Sequence, residues 1–169
     1  QRAIDQLYLP WSGASDADSL KKRITLKLDA GLYKINDSLK VPPYVNLVGD
    51  GSDKTVIEQT GAFAVIETIN GNGINAQTSS TNQSNIIRLQ GMTLKSYLTN
   101  PALKLSSTKD SQFIDIKLQG PWTQGSAINA TQVGLLMEAT STPVTTQNNN
   151  FEKLKVVGFS YGILSCLLY

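Results

Sequence analysis

Apolar residues recur along this chain in short runs with a period of two. In "ITLKLDAG" (Ile24 to Gly31), Ile24, Leu26 and Leu28 share one face, the spacing of a half-buried strand. "LYKINDSLKVP" continues the alternation, with Asp29-Ala30-Gly31 and Asn36-Asp37-Ser38 as turn chemistry. Pro42-Pro43 forces an extended corner, and "YVNLVGDGSDKTVIEQ" reads as strand, Gly-Asp-Gly turn, strand. Further strand-like pieces are "SNIIRLQGMTLKS", "PALKLSS", "SQFIDIKLQG", "AINATQVGLLMEA" and "NNNFEKLKVVGFSYGILS". Two polar stretches, 70–85 and 139–150, read as long exposed loops. A short helical stripe, Ala3, Ile4, Leu7 and Tyr8, is closed by Pro10. Past residue 10 the chain is predicted to be overwhelmingly β.

Three of these pieces share one grammar. "FIDIKLQG" (Phe113 to Gly120) and "FEKLKVVG" (Phe151 to Gly158) each hold an aromatic, an aliphatic three residues on, a Lys, another aliphatic, a free position and a Gly. "LQGMTLKS" keeps the spacing with Leu89, Met92, Leu94 and Ser96. A barrel or sandwich gives no reason to rewrite one strand while the loops between copies change length. A solenoid does, because each coil stacks the same strand on the one below and insertions leave through its corners. The copies then predict inward, outward, inward side chains, a bend at each terminal Gly or Ser, and inner stacks at a step of ~4.8 Å. Asn148, Asn149 and Asn150 either begin an Asn ladder at such a corner or are ordinary loop residues.

Composition narrows the chemistry. Fifteen basic and 13 acidic residues leave a net charge of +2, which calls for neither nucleic acid nor an anionic membrane. The charged fraction, 17%, suits a neutral polar surface rich in Asn, Gln, Ser and Thr. No apolar run reaches the ~20 residues of a membrane span. Both ends read as cut, so the chain is expected to be a fragment of something longer. Histidine is absent and Cys166 stands alone, which removes His-dependent nucleophile systems and the usual zinc sites. Cys166 is expected to be a small buried hydrophobe. "GDGSD" (Gly49 to Asp53) lacks the alternating ligands of a calcium loop and reads as a plain turn. No cofactor or metal site is expected.

"LKLDAGLYKINDSLKVPPYVNLVGDGSDKTVI" (Leu26 to Ile57) resembles the opening of the pectate-lyase-like right-handed parallel β-helix proteins. Asp29-Ala30-Gly31 with Tyr33 matches their first turn, Asp29 standing where Pro is usual, and Gly49-Asp50-Gly51 before Thr55, Val56 and Ile57 matches the second. The likeness covers about residues 1–66 at motif level and the remainder only as repeat grammar. It implies an all-β, right-handed parallel β-helix (solenoid), with residues 1–23 as a short N-terminal capping helix and loop and 24–169 as its rungs. Lyases, hydrolases, epimerases and non-catalytic viral spikes share that fold, so activity has to come from a site.

No catalytic residues are assigned. The pectin-hydrolase set and the lyase Arg set are missing, and Asp115 and Lys153 fall in one column as a surface ion pair. Trp122, Tyr97, Tyr161, Asp115 and Arg88 are the candidates for contact with a glycan or a neighbouring subunit. Trp122, in "LQGPWTQGS", either stands out for stacking or folds back over the coil edge. The resemblance and the low-charge polar surface together point to an extracellular bacteriophage virion component of the tail-spike or tail-fibre type. Such a component would be a homotrimer touching other virion proteins and a cell-surface polysaccharide. A polysaccharide lyase or glycoside hydrolase is the alternative.

Overall fold

The computed structural model describes residues 2–4, 23–69, 84–97, 100–127, 131–139 and 146–166. Among them almost all regular structure is strand, and the paired strands are parallel. The chain makes five similar passes. The first holds β1 (Ile24–Leu28), β2 (Gly31–Ile35) and β3 (Leu39–Val41); the second, β4 (Val45–Gly49), β5 (Thr55–Gln59) and β6 (Ile66–Thr68). The third holds β7 (Ser84–Asn85), β8 (Arg88–Lys95) and β9 (Leu103–Ser106); the fourth, β10 (Thr108–Lys109), β11 (Gln112–Gln119) and β12 (Val133–Glu138). β13 (Asn150–Glu152), β14 (Lys155–Val157) and β15 (Tyr161–Cys166) make the fifth.

Corresponding strands of successive passes lie side by side. The first sheet runs β1-β4-β8-β11-β13, and its second half is β2, β5, the later parts of β8 and β11, and β14. The second sheet runs β3-β6-β9-β12-β15, and β7 and β10 form a small third one that Gln147 extends by a bridge to Lys109. No sheet closes into a barrel.

Register reproduces the repeat read from the sequence. Leu89, Phe113 and Phe151 are partners, as are Leu94, Leu118 and Val156. Inward side chains therefore stack in columns: Ile66, Leu103 and Leu135 are each fully buried in one, and the Phe113 and Phe151 rings stack at 4.8 Å in another. Each such burial contributes about 1.5–3 kcal/mol. Among the described residues the column through Leu135 reaches Ile163 on β15, which pairs with β12 and leaves Ile163 54% exposed.

The bends expected at Ser96, Gly120 and Gly158 are present. A Cβ on Gly120 would sit 2.1 Å from the Gly158 carbonyl oxygen, so these backbones approach closer than any side chain allows. A second regularity was invisible in the residue types. Tyr44, Ile86, Asp110 and Asn148 fall in one register column, and all four have a left-handed backbone with φ of 63°, 55°, 52° and 53°. For β-branched Ile86 that conformation is strained.

Where the second sheet meets the third, buried hydroxyls link the passes. Thr68 and Thr108 share a 2.6 Å hydrogen bond, Thr68 Oγ1 accepts from the Ser106 amide at 2.9 Å, and Thr146 Oγ1 donates to the Glu138 carbonyl at 2.8 Å. Of the two arrangements open for Asn148, Asn149 and Asn150, a ladder of amide side chains does not form among the described residues. Asn149 alone turns onto the previous pass, donating to the Thr108 carbonyl at 2.9 Å and accepting from the Ser111 amide at 3.1 Å. Its column continues as Ser111, which accepts from the Ile87 amide, so the repeated partner is backbone and not another amide side chain.

Two other expectations are corrected. Cys166 is exposed, because it occupies an outward position in register with Glu138 on the last strand of its sheet. The stretch expected as loop 70–85 ends in strand, since Ser84 and Asn85 pair with Thr108 and Lys109. Residues 70–83 and 140–145 of the two expected loops lie outside the described residues. So does most of the expected capping helix, although Arg2–Ile4 are helical and Ile4 packs into the core.

Candidate functional site

β8 and β11 leave the first sheet at the same corner on consecutive passes. Ser96 N donates to the Gln119 carbonyl at 2.8 Å, and Gly120 N donates to that of Val157 at 2.8 Å, which keeps the three passes in step. The chain following β8 therefore brings Tyr97, and that following β11 brings Trp122, to one corner. The Trp122 amide donates to the Gly158 carbonyl at 3.3 Å. Beyond it Ser126 closes a tight turn, its amide donating to the Thr123 carbonyl at 3.0 Å, with Gly125 at φ +88°. The indole Nε1 donates to the Ser126 carbonyl at 3.1 Å. This satisfies the polar edge of the ring and leaves 41% of Trp122 exposed; Tyr97 is 43% exposed. Trp122 is thus tied at its nitrogen to its own loop and stays open to solvent.

Charge accompanies the rings. Lys95 Nζ lies 4.8 Å from the Tyr97 ring centroid and 3.8 Å from Glu58, its partner in register. Contact with Tyr97 first, and then with Glu58, raises the Lys95 pKa against partial desolvation. Tyr97 beside the Lys95 ammonium, with Trp122 exposed on the next pass, offers rings that can stack on sugars and a donor for their hydroxyls.

The other sequence candidates do not join this corner. Tyr161 lies on β15 in the second sheet, in register with Val133, and is 51% exposed at the end of its column. Arg88 lies in the first half of the first sheet, where its Nε donates to Gln90 Oε1 at 2.9 Å. Asp115 is committed to holding a loop: its two carboxylate oxygens accept from the Ser52 amide at 3.1 Å and the Ser52 hydroxyl at 2.8 Å, while Thr93 donates to the Ser52 carbonyl. No Asp115–Lys153 ion pair forms, although the two share a column as expected. The column stands at a bend where both residues have positive φ, and the carboxylate turns towards Ser52 instead. "GDGSD" is a turn: Asp50 pairs with Lys27 at 3.2 Å and accepts from the Ala30 amide at 3.1 Å. The Lys27 bond, chiefly, holds its carboxyl below the usual value.

A second cluster lies on the outer face of the second sheet and escaped the sequence reading. Lys104 Nζ is 3.0 Å from Glu67 and 2.9 Å from Glu138, and Ser106 Oγ donates to Glu138 at 3.1 Å. Burial opposes the charge on Lys104, but its bonds to Glu138 and Glu67 outweigh this and raise its pKa. The ammonium is thus a fixed charge and not a base. Among the described residues no group of three or more His, Cys, Asp or Glu could hold a metal ion, and no helix is long and apolar enough to cross a membrane.

No protein-family model matches the chain, and no curated protein matches it. Among solved structures it is similar to the ORF18 protein of Geobacillus virus E2, with a TM-score of 0.47 and 14% identity over 78% of this chain. The matched part is 28% of that protein's length.

Proposed function

We propose that residues 24–169 form a parallel β-helix, a solenoid of stacked coils capped by residues 1–23. In this reading the chain is a bacteriophage virion component of the tail-spike or tail-fibre type whose corner binds a host-surface polysaccharide. Five parallel passes, each pairing its strands with the corresponding strands of the next, support the solenoid. One observation carries the glycan reading: Tyr97 and Trp122, both substantially exposed, leave consecutive passes at a single corner beside Lys95. Rings on adjacent coils offer successive sugars of one polymer a platform at a step of ~4.8 Å. The same reading carries a homotrimer, which sedimentation of the intact parent protein tests directly.

Titration with purified bacterial surface polysaccharides, followed by calorimetry, is the test. Trp122→Ala and Tyr97→Ala are each expected to weaken binding about ten-fold while the far-ultraviolet dichroism stays unchanged. A folded wild-type chain that binds none of these polymers sinks the proposal.

A polysaccharide lyase or hydrolase is the second reading. The feature favouring it is the pair Glu67 and Glu138, which flank one ammonium and so have carboxylates within about 6 Å of each other. Lys104 occupying that gap argues for an ion ladder instead. Release of reducing ends by the wild type, lost in Glu67→Gln or Glu138→Gln, would establish the enzyme.

A further inference from the structure

Lysines collect on the outer face of the second half of the first sheet. Its inward positions are Tyr33, Ile35, Ile57, Leu94, Leu118 and Val156, so alternation turns Lys34, Glu58, Lys95, Lys117 and Lys155 outward. Four lysines against one glutamate leave +3 on this face, more than the +2 of the whole chain. Lys95 and Glu58 neutralise each other. Lys117 and Lys155 are direct partners in register, and neither they nor Lys34 have an acidic group within ion-pair distance among the described residues. Lys153, at the bend just before β14, is likewise without the Asp115 partner its column offers.

Like charges directly opposite on neighbouring strands destabilise a sheet. Elsewhere the chain avoids the cost: on the second sheet Glu67 and Glu138 bracket Lys104, and between the first two passes Lys27 meets Asp50. On this face Lys117 and Lys155 of adjacent passes are partners in register, and among the described residues neither has an acidic partner. The face is continuous with the Tyr97 and Trp122 corner, because Lys95 and Gln119 are the last strand residues before the chain turns to those rings.

We infer that the polymer taken at this corner is anionic, a glycan whose repeating unit carries a carboxylate or a phosphodiester. Sugar faces rest on Trp122 and Tyr97, while Lys117, Lys155 and Lys153 receive the acid groups as charge-assisted hydrogen bonds. The inference rests on the glycan reading above and adds the charge of the ligand. An acidic polymer also relieves the repulsion between Lys117 and Lys155, which a neutral one does not.

The test compares three probes on the wild-type chain and on Lys117→Gln/Lys155→Gln: dextran as a neutral glycan, polyuronate oligosaccharides, and glycerol-phosphate teichoic acid. Binding is measured at low and high salt. The expected result is tight, salt-sensitive binding of one or both acidic probes, falling roughly ten-fold in the double variant, with dextran unaffected. The two acidic probes separate carboxylate from phosphodiester recognition. Both substituted side chains are at the surface, so the variant keeps its fold, and unchanged thermal melting verifies that. Equal, salt-insensitive binding of neutral and acidic glycans overturns this inference and leaves the glycan platform standing. A duplex DNA control that binds as well as the acidic glycans overturns it in favour of unspecific charge attraction. Failure of every glycan to bind overturns both.

Discussion

At the junction of the second and third sheets, successive passes are joined by Thr68, Thr108 and Thr146, whose hydroxyls are spent on one another and on backbone groups, the Ser106 amide among them. At the corner after β8 and β11 the joint is made of Ser96, Gly120 and Gly158, with backbone close to backbone and aromatic rings outside. The first corner is a closed polar network that offers a ligand nothing. In the second, Gly120 and Gly158 bring no side chain, and the one hydroxyl, that of Ser96, is used inside by the Gln59 amide at 2.8 Å and the Asn100 carbonyl at 3.0 Å. Tyr97 and Trp122, just beyond it, face solvent. Under the glycan proposal, stacking accuracy and ligand contact fall to different corners of one pass.

The sharpest way to break the second corner is Gly120→Ala. The new Cβ would overlap the Gly158 carbonyl, and a backbone atom cannot give way as a side chain can. A loss of about 3 kcal/mol is expected, read as a drop in urea midpoint. Breaking the first corner costs less. Thr68→Val leaves the Thr108 hydroxyl and the Ser106 amide without their partner, for about 1–3 kcal/mol. The double change Thr68→Val/Thr108→Val should cost less than the sum of the two, since the second removes a group the first has stranded.

A smaller and pH-dependent effect tests whether the Lys104 cluster belongs with the structural corner. Its raised pKa means that the lysine's stabilisation is complete below its ordinary 10.5 and is lost as pH rises through the higher folded value. In Lys104→Met that alkaline loss should vanish. The variant should also be less stable than wild type at pH 7, where Glu67 and Glu138 lose the cation between them. Thermal melting across pH checks both. The smallest change expected is a gain: Ile86→Asn should stabilise the chain by about 1 kcal/mol, because Asn tolerates the left-handed backbone that Ile86 adopts under strain.

What could be read from the sequence was whatever repeats as side-chain type. Phe113 and Phe151 announced a shared register because an inward position must be large and apolar and a bend must be small, and the pairing of Lys117 with Lys155 followed from the same alignment. The left-handed column could not be read, since Tyr44, Ile86, Asp110 and Asn148 share a backbone conformation and no chemistry. Glu67, Lys104 and Glu138 were missed for another reason. They are brought together by strand pairing across connections of unequal length, and nothing within "IET", "LKLS" or "LLME" fixes that alignment. Alternating charge at outward positions, once β6, β9 and β12 are aligned, is the signal that would have found them. Of the five proposed contact residues, proximity along the chain to a Gly or Ser bend marked Tyr97 and Trp122; Asp115 was drawn away by Ser52, which lies 63 residues earlier.

Because every strand pairs with one from a neighbouring pass, even the nearest partners, such as Thr25 and Asn46, are 21 residues apart. Among the described residues no hairpin exists to start from, and each pairing must close a sizeable loop before any contact rewards it. Under the solenoid proposal, assembly is a winding process, slow to begin and then templated, each finished pass offering its bare edge to the next. A chain held by its ends would come apart in the same currency, one coil at a time, extending in steps set by the 24 residues between Arg88 and Gln112 or the 38 between Gln112 and Asn150.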